Sequence, residues 1–199
     1  MIIREATIAD SELLASYLLL AMDDIVYKFI GRKDYLAAKN LMLHFVKREQ
    51  NQYSYQNCLV IETNGKIIAA INCYDGAKLI QLREPVKQYI KTNFNKDFNP
   101  EDETQAGEYY IDSLGVNPEW QGKGIGSKLL KFLIEKHVVR NGQTLGLLVD
   151  DENPDAKRLY LKLGFKPVGK KFLVGKQLEH LQIKGYLKEK HCILNEYKS

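Results

Sequence analysis

Residues 109–126, YYIDSLGVNPEWQGKGIG, join a predicted strand to a glycine-rich turn. Residues 109–116 are β-branched, aromatic and apolar enough for a buried strand, which Asn117-Pro118 ends. After Gly126 the side chains of one face recur at helical spacing: Leu129, Leu130, Leu133, Ile134, His137 and Val138. The glycines therefore lie where a helix begins. Because the first N–H groups of a helix lack internal partners and its dipole is positive there, this loop is suited to bind a phosphate.

The spacing of the glycines narrows the choice of phosphate ligand. The chain does not supply G-x-x-x-x-G-K-[ST], and its G-x-G-x-G run departs from the G-x-G-x-x-G of dinucleotide-binding folds. What fits is Gln121-x-x-Gly124-x-Gly126, preceded by Val116-x-Pro118. This pattern resembles the signature of the GNAT superfamily of acyl-CoA-dependent N-acyltransferases, in which the loop holds the pyrophosphate of coenzyme A.

A second region, residues 153–165, carries the same resemblance. It begins with an N-cap asparagine and a proline at the first helical position, Asn153-Pro154, and ends with a glycine where a helix stops. The family typically has an asparagine, an alanine, Leu-Tyr and Gly-Phe at this spacing. The matching residues here are Asn153, Ala156, Leu159, Tyr160, Gly164 and Phe165. The resemblance is close over residues 108–165 and only organisational elsewhere.

The resemblance implies that acetyl-CoA is the cosubstrate and that its pantetheine arm inserts between the central strand and the strand at 144–150, which must splay apart. It also implies which residues contact coenzyme A: Leu114, Gly115, Val116, Gln121, Gly122, Lys123, Gly124, Ile125, Gly126, Ser127, Asn153, Lys157 and Tyr160. Glycine at position 115 would permit a bulge or a close approach within the strand.

Acyl transfer to an amine needs one group that accepts a proton and one that assists the leaving thiolate. Tyr160 matches the family tyrosine that protonates or hydrogen-bonds the sulfur of coenzyme A. Strand alternation places residues 108, 110, 112, 114 and 116 on one side. Tyr110 occupies the position of the glutamate base of the histone acetyltransferase branch, which leaves Asp112 and Glu108 as candidate bases. Either carboxylate could instead bind a cationic acceptor or satisfy backbone groups, and a water chain could also serve as the base.

Length and composition fit one globular domain spanning residues 1–199, with 45% hydrophobic and 27% charged residues. No apolar run approaches the roughly 18 to 20 residues of a membrane span, and the N-terminus lacks a signal-peptide pattern, so we expect a cytoplasmic protein that does not bind membranes. The net charge of +4 is too scattered for a nucleic-acid binder. The cysteines, Cys58, Cys73 and Cys192, predict reduced thiols and, with the histidines, no metal site.

The order of predicted elements is that of the GNAT fold, an α/β (α+β) arrangement with a mixed, mostly antiparallel sheet flanked by helices. Residues 59–74 form the clearest hairpin, with its turn at Asn64-Gly65. Residues 75–106 read as an insertion with a short helix near 86–92, and residues 166–174 and 182–188 as a closing antiparallel pair.

The predicted activity is direct acetyl transfer from acetyl-CoA to a primary amine, because neither motif contains a cysteine nucleophile. The acceptor, a small molecule or a peptide, is left open, as is a homodimer. Two other functions are considered: a non-catalytic acyl-CoA sensor and a protein that binds ATP or NAD through the glycine loop.

Overall fold

The computed structural model describes residues 1–185. Within these residues, seven strands form one sheet in the order β1-β2-β3-β4-β5-β7-β6. All neighbouring strands are antiparallel except β4 and β5, which are parallel. The strands are β1 Ile2–Glu5, β2 Cys58–Thr63, β3 Lys66–Asp75, β4 Tyr109–Val116, β5 Thr144–Val149, β6 Lys166–Leu173 and β7 Lys176–Lys184. This is the mixed, mostly antiparallel sheet that the sequence predicts.

Helices cover both faces of the sheet. They are α1 Ser11–Ile30, α2 Tyr35–Val46, α3 Leu79–Asn93, α4 Ile125–Leu133, which continues as a π-helical segment Ile134–Val139, and α5 Pro154–Lys162. On one face α1 and α2 bury a core that includes Leu14, Met42 and Phe45. On the other face, α4 packs Leu129 and Leu130 against the central strands. Within residues 1–185, no helix is both long and apolar enough to span a bilayer.

The hairpin β2–β3 forms as the sequence predicts. Its two turn residues, Asn64 and Gly65, have φ values of 50° and 70°. Positive φ at both central residues is what a type I′ turn requires, and asparagine and glycine tolerate it best. The turn therefore sets the register between β2 and β3, and the other edge of β3 pairs with β4.

The strands β4 and β5 separate along their length. They are paired only at Tyr109–Leu145, Tyr110–Gly146 and Ile111–Leu147. Beyond Ile111 the side of β4 that faces β5 has no strand partner, so its backbone groups border a gap. The prediction of splayed central strands is confirmed.

A β-bulge at Asp112 corrects the predicted alternation of β4. Ser113 pairs with Asn72 and Ile111 with Cys73, so Asp112 is one extra residue on β4. An extra residue reverses the alternation beyond it. Asp112 bonds Gln52 and Tyr74 on one face of the sheet, whereas Leu114 and Val116 pack with the α4 core on the other. Placing all of them on one side was therefore wrong.

The connection between β3 and β4 is more ordered than the sequence suggested. In place of a short helix near 86–92, α3 runs over 15 residues, with Pro85 inside it. Its buried residues Leu79, Leu82, Val86 and Ile90 recur every three or four positions. Pro85 is exposed, so the helix keeps its apolar face although the proline removes one internal hydrogen bond.

The closing antiparallel pair is present, but its second strand begins earlier than expected. β7 starts at Lys176 rather than at residue 182, and a two-residue turn at Val174 and Gly175 joins it to β6. The expected strand residues 186–188 and the polar end with Cys192 lie outside the described residues. Cys58 and Cys73 are buried, free thiols, as predicted.

Candidate active site

A cavity of about 580 Å³ opens where β4 and β5 separate. One wall is β4 from Tyr110 to Val116, and the opposite wall is β5 from Leu147 with the residues just after it, up to Asp150. α1 contributes Met22 and its neighbours, and α5 contributes Tyr160. A volume of this size falls within the usual range of small-molecule sites. The cavity therefore extends from the gap in the sheet to Gln121, which precedes the glycine loop, and to Glu103 of the β3–β4 connection, while none of residues 122–128 lines it.

The glycine loop leads from the end of β4 into α4. Gly122 and Gly124 have φ values of 71° and 76°, a left-handed backbone that favours glycine. The first internal hydrogen bond of α4 is donated by the Lys128 N–H to the Gly124 carbonyl, at 3.0 Å. The N–H groups of the first turn, at Ile125, Gly126 and Ser127, therefore have no partner within the helix. Loop and helix together present main-chain donors at a positive helix end.

The side chains around this loop hold it in place. Gln121 lines the cavity and donates its Nε2–H to the Val116 carbonyl at 3.1 Å. Lys123 Nζ lies 5.2 Å from the centre of the Trp120 ring. The Ile125 side chain is buried in the core, so only its backbone faces outwards. At Gly126 an added Cβ would lie 3.1 Å from Leu114 Cδ2, so glycine lets the loop pack tightly on β4.

Gly115 permits a close approach, but of another part of the protein. A Cβ at this position would collide with the Tyr17 carbonyl of α1. The glycine therefore brings α1 against β4 next to the gap. Gly115 still lines the cavity with its backbone.

The predicted residues of α5 separate into two groups. Tyr160 and Asn153 line the cavity, and the Asn153 side chain also caps α5 by accepting the Ala156 N–H at 3.2 Å. Burial raises the pKa of Tyr160 to about 12, so its hydroxyl stays protonated at neutral pH. Lys157 does not border the cavity. Its Nζ makes ion pairs of 2.9 Å with Asp151 and with Glu179.

Two carboxylates meet at the other end of the cavity. Asp112 and Glu103 both line it, and they share two donors. Tyr74 Oη lies 3.0 Å from Glu103 and 3.2 Å from Asp112. Gln52 Nε2 lies 2.8 Å from Asp112 Oδ2 and also bonds Glu103. Arg83 of α3 is 3.1 Å from the second oxygen of Glu103. The pair is therefore held rigidly beside the gap.

The environment moves both carboxyl groups toward neutrality. Burial raises the pKa of Asp112 to about 6, although hydrogen bonds from Gln52 and Tyr74 oppose the rise. Burial, together with the negative charge of Asp112, raises the pKa of Glu103 to about 7. Two like charges this close disfavour double ionisation. Near pH 7 the pair can therefore accept a proton.

Glu108, the other predicted base, lies outside the cavity. Its carboxylate accepts from Thr104 Oγ1 at 2.6 Å and Gln182 Nε2 at 2.7 Å, and His180 Nε2 is 2.9 Å away. Burial alone would raise the pKa of Glu108, but these hydrogen bonds outweigh burial and lower it. A carboxylate with its oxygens occupied and its pKa lowered is poorly suited to accept a proton, and we assign Glu108 to holding β4, β5 and β7 together.

Sequence reasoning missed Glu103, Gln52 and Tyr74. Glu103 belongs to the β3–β4 connection and comes near Asp112 only because α3 folds that connection back. The signal for α3 was present in the helical spacing of Leu79, Leu82, Val86 and Ile90, but Pro85 obscured it. Gln52 follows α2 at a distance of 60 residues from Asp112, and nothing local in the sequence connects them.

Comparison with known proteins agrees with this architecture. The N-alpha-acetyltransferase RimI of Mycobacterium tuberculosis is 39% identical over 66 residues, which are 33% of this chain and 40% of that protein. The matched segments span less than half the length of each of five curated relatives.

Solved structures match over nearly the whole chain. An N-acetyltransferase from Staphylococcus aureus Mu50 superimposes with a TM-score of 0.78 at 24% identity, covering 92% of this chain and all of that one. An acetyltransferase of Salmonella typhimurium, solved with its cofactor acetyl-CoA, has a TM-score of 0.53 at 19% identity and covers 100% and 96% of the two chains. Both likenesses concern the fold.

The family model described as "Acetyltransferase (GNAT) family" matches residues 32–165. These residues include α2, the carboxylate pair, the splayed strands, the glycine loop and α5. The chain therefore belongs to the GNAT family of acetyltransferases.

Proposed function

We propose that this protein transfers the acetyl group of acetyl-CoA to a primary amine by direct attack within a ternary complex. The observation that carries the proposal is the cavity between the splayed strands. At one end it reaches Gln121, which precedes the glycine loop, and at the other end it reaches the carboxylates Asp112 and Glu103. A thioester bound along the gap and an amine beside the carboxylates would meet within this space.

Two features of the chain suit the binding of coenzyme A, the acyl donor. The first-turn N–H groups of α4 and the left-handed loop at Gly122 and Gly124 suit an anionic pyrophosphate. The unpaired side of β4 beyond Ile111 suits the amide groups of a pantetheine arm, which would add to the sheet as a short strand. Acetyl-CoA supplies the activated acyl group, and the backbone of residues 114–116 can hold its carbonyl oxygen as negative charge develops.

At the acceptor end we assign the base to the Asp112–Glu103 pair. An alkylamine is mostly protonated at neutral pH and must lose a proton before it can attack. A carboxylate with a pKa near the working pH accepts that proton efficiently, and the pKa values of about 6 and 7 meet this condition. Gln52 and Tyr74 keep the pair oriented toward the cavity.

Tyr160 is assigned to the leaving sulfur as a hydrogen-bond donor. Its pKa of about 12 lies above the roughly 8.5 of an ordinary thiol, so complete proton transfer from the phenol to the thiolate would be uphill. A phenol that remains protonated at all working pH values can still stabilise the developing thiolate. This favours the second of the two roles that the resemblance implies for Tyr160.

Direct attack is supported by the placement of the cysteines. Neither Cys58 nor Cys73 borders the cavity, and burial raises the pKa of both thiols. Within residues 1–185, then, no cysteine at the site is suited to form an acyl-enzyme.

The test is to incubate the protein with acetyl-CoA and a panel of primary amines, and to follow both release of free thiol and the mass of the amine. We expect thiol release that depends on the amine, with one acetyl group added to it. A protein that binds acetyl-CoA tightly but acetylates no amine in the panel would contradict the proposal and favour a non-catalytic sensor.

A further inference from the structure

We propose that the acceptor is an aliphatic diamine or polyamine, and that Asp23 and Asp24 bind its second, protonated amino group. This inference rests on the proposed acetyl transfer and concerns the acceptor end of the same cavity. It names a chemical class that the fold alone does not specify.

The charged side chains in the wall of the cavity are mostly negative. Within residues 1–185, six of its lining residues are acidic and one, Lys176, is basic. Lys176 is paired with both Asp150 and Glu152, so its single positive charge offsets one of these two negative charges. The remaining lining carboxylates are Asp23, Asp24, Glu103 and Asp112. Arg83 pairs with Glu103, so the lining carboxylates without an ion-pair partner among the described residues are Asp23, Asp24 and Asp112.

The helix α1 is irregular where it borders the cavity. At Met22 the backbone leaves helical geometry, with φ −144° and ψ 25°. Asp23 and Asp24 follow immediately and line the cavity. Both are exposed, and among the described residues neither has an ion-pair partner within 4.0 Å. The irregular turn thus brings two unpaired negative charges to the site.

A third, independent observation is Ser113. It lines the same cavity, is only 5% exposed, and its Oγ has no hydrogen-bond partner among the described residues. Buried hydroxyl groups normally have a partner. Ser113 adjoins Asp112 at the bulge, so its free oxygen can accept an N–H bond from an amine that the carboxylate pair deprotonates.

These three features suit a ligand with two positive groups. The reacting ammonium gives its proton to the Asp112–Glu103 pair, while the second ammonium stays charged opposite Asp23 and Asp24. A monoamine leaves those aspartates without a partner, and an amino acid brings a carboxylate into a negative site. Like charges at such a site reduce affinity.

The reaction balances without a further reagent. The deprotonated nitrogen forms a bond to the acetyl carbon, and the carbon–sulfur bond breaks, so that the electron pair leaves on sulfur. The reacting ammonium loses two protons in all, one to the carboxylate pair before attack and one from the acylated nitrogen afterwards. One of them ends on the thiolate and the other is released to solvent. The products are an N-acetyl diamine, still carrying one ammonium group, and coenzyme A.

The experiment compares kcat/KM for α,ω-diamines with two to six methylene groups, the matched n-alkylamines and 4-aminobutanoate. We expect the best diamine to exceed its matched monoamine by about tenfold, since an exposed ion pair gives a factor of roughly 1.4 to 5 for each carboxylate and so roughly 2 to 25 for the two together. The preference for the diamine should decrease as the salt concentration is raised, because the carboxylates of Asp23 and Asp24 are exposed to solvent.

The double variant Asp23→Asn/Asp24→Asn tests the assignment. It should lower kcat/KM for the diamine by about tenfold and leave the monoamine within about twofold. The matched control is Glu84→Gln/Asp97→Asn, which also removes two exposed carboxylates, but outside the cavity. We expect this control to behave as wild type with both amines.

The outcomes separate the two proposals. Equal kcat/KM for diamine and monoamine, or an equal loss for both in the double variant, would overturn the assignment of Asp23 and Asp24 and leave acetyl transfer intact. A second readout is the rise in melting temperature that 1,4-diaminobutane causes in the presence of coenzyme A. If no amine is acetylated but this rise occurs in wild type and disappears in the double variant, recognition of the diamine stands and the proposed transfer is overturned.

Discussion

A carboxylate becomes an effective base near pH 7 only when its surroundings raise its pKa. Asp112 and Glu103 reach this condition through burial and through their mutual repulsion, while Gln52 and Tyr74 satisfy their oxygens. Glu108 lies four residues from Asp112 and shows the opposite outcome, since three hydrogen-bonding neighbours lower its pKa. A carboxylate is therefore a candidate base at Asp112 and a structural hydrogen-bond acceptor at Glu108.

Tyr160→Phe tests the assignment of the phenol to the leaving sulfur. We expect kcat to fall by about 10-fold to 100-fold, because one hydrogen bond to the developing thiolate is lost. The Kd for acetyl-CoA should change by less than about threefold, because the bound cosubstrate keeps its other contacts. The ring packs edge-on against Phe165 at 5.9 Å, and phenylalanine preserves that contact. Steady-state rates and calorimetric binding give the two quantities. An unchanged kcat would remove Tyr160 from the mechanism.

The site depends on places where the strands and helices are interrupted. The bulge in β4 turns Asp112 toward Gln52 and Tyr74 and leaves Leu114 and Val116 on the opposite face. The early end of the β4–β5 pairing opens the cavity, and the left-handed glycines let the chain enter α4 with its first N–H groups exposed. Each interruption leaves backbone groups without a partner inside the fold, where a ligand can bind.

The paired variants Gly124→Asp and Gly124→Asn test the loop. Both side chains tolerate a left-handed backbone better than other non-glycine residues, and they have nearly the same shape, so both should lower stability similarly. Only aspartate places a negative charge beside the proposed pyrophosphate site. We expect the Kd for acetyl-CoA to be at least about tenfold weaker in the aspartate variant than in the asparagine variant, as for one unfavourable charge contact of about 1.4 kcal/mol. Equal affinities would contradict the loop assignment.

At the scale of the whole molecule, the buried carboxylates should make stability depend on pH. In an unfolded chain such groups ionise near pH 4, whereas folded Asp112 and Glu103 hold their protons to about pH 6 and 7. Between these values the folded state binds more protons, so their contribution to the free energy of unfolding falls as pH rises from about 4 to 7.

We therefore expect Asp112→Asn to be more stable than wild type at pH 8, by on the order of 1–3 kcal/mol, and to lose less stability between pH 5 and pH 8. Urea unfolding at both values measures this. The exposed Asp97→Asn variant is the control and should follow wild type. If the free energy of unfolding of Asp112→Asn fell between pH 5 and pH 8 by as much as that of wild type, the raised pKa of Asp112 would be contradicted.

The sequence predicted the local parts of the molecule well and its long-range parts poorly. Asn64-Gly65, the limits of β4 and the cap at Asn153 each depend on a few neighbouring residues, and all were confirmed. The bulge at Asp112 depends on register with β3, and the pairing of Glu103 with Asp112 depends on how α3 packs. Neither leaves a periodic signal in the chain. The second strand of the closing pair was misplaced because Val174-Gly175 was not recognised as its turn.

The pH dependence of kcat in wild type and Asp112→Asn measures whether the carboxylate pair, which lies where the β4–β5 pairing ends, accepts the amine's proton. Wild-type kcat should rise through about pH 6 to 7, and the variant should be slower by about 100-fold or more. Because removal of the Asp112 charge lowers the pKa of Glu103, the variant's remaining rise should also move to lower pH. Ionisation of the amine itself affects both proteins equally. A variant with the wild-type rate and the wild-type pH profile would show that Asp112 does not take part in accepting the proton.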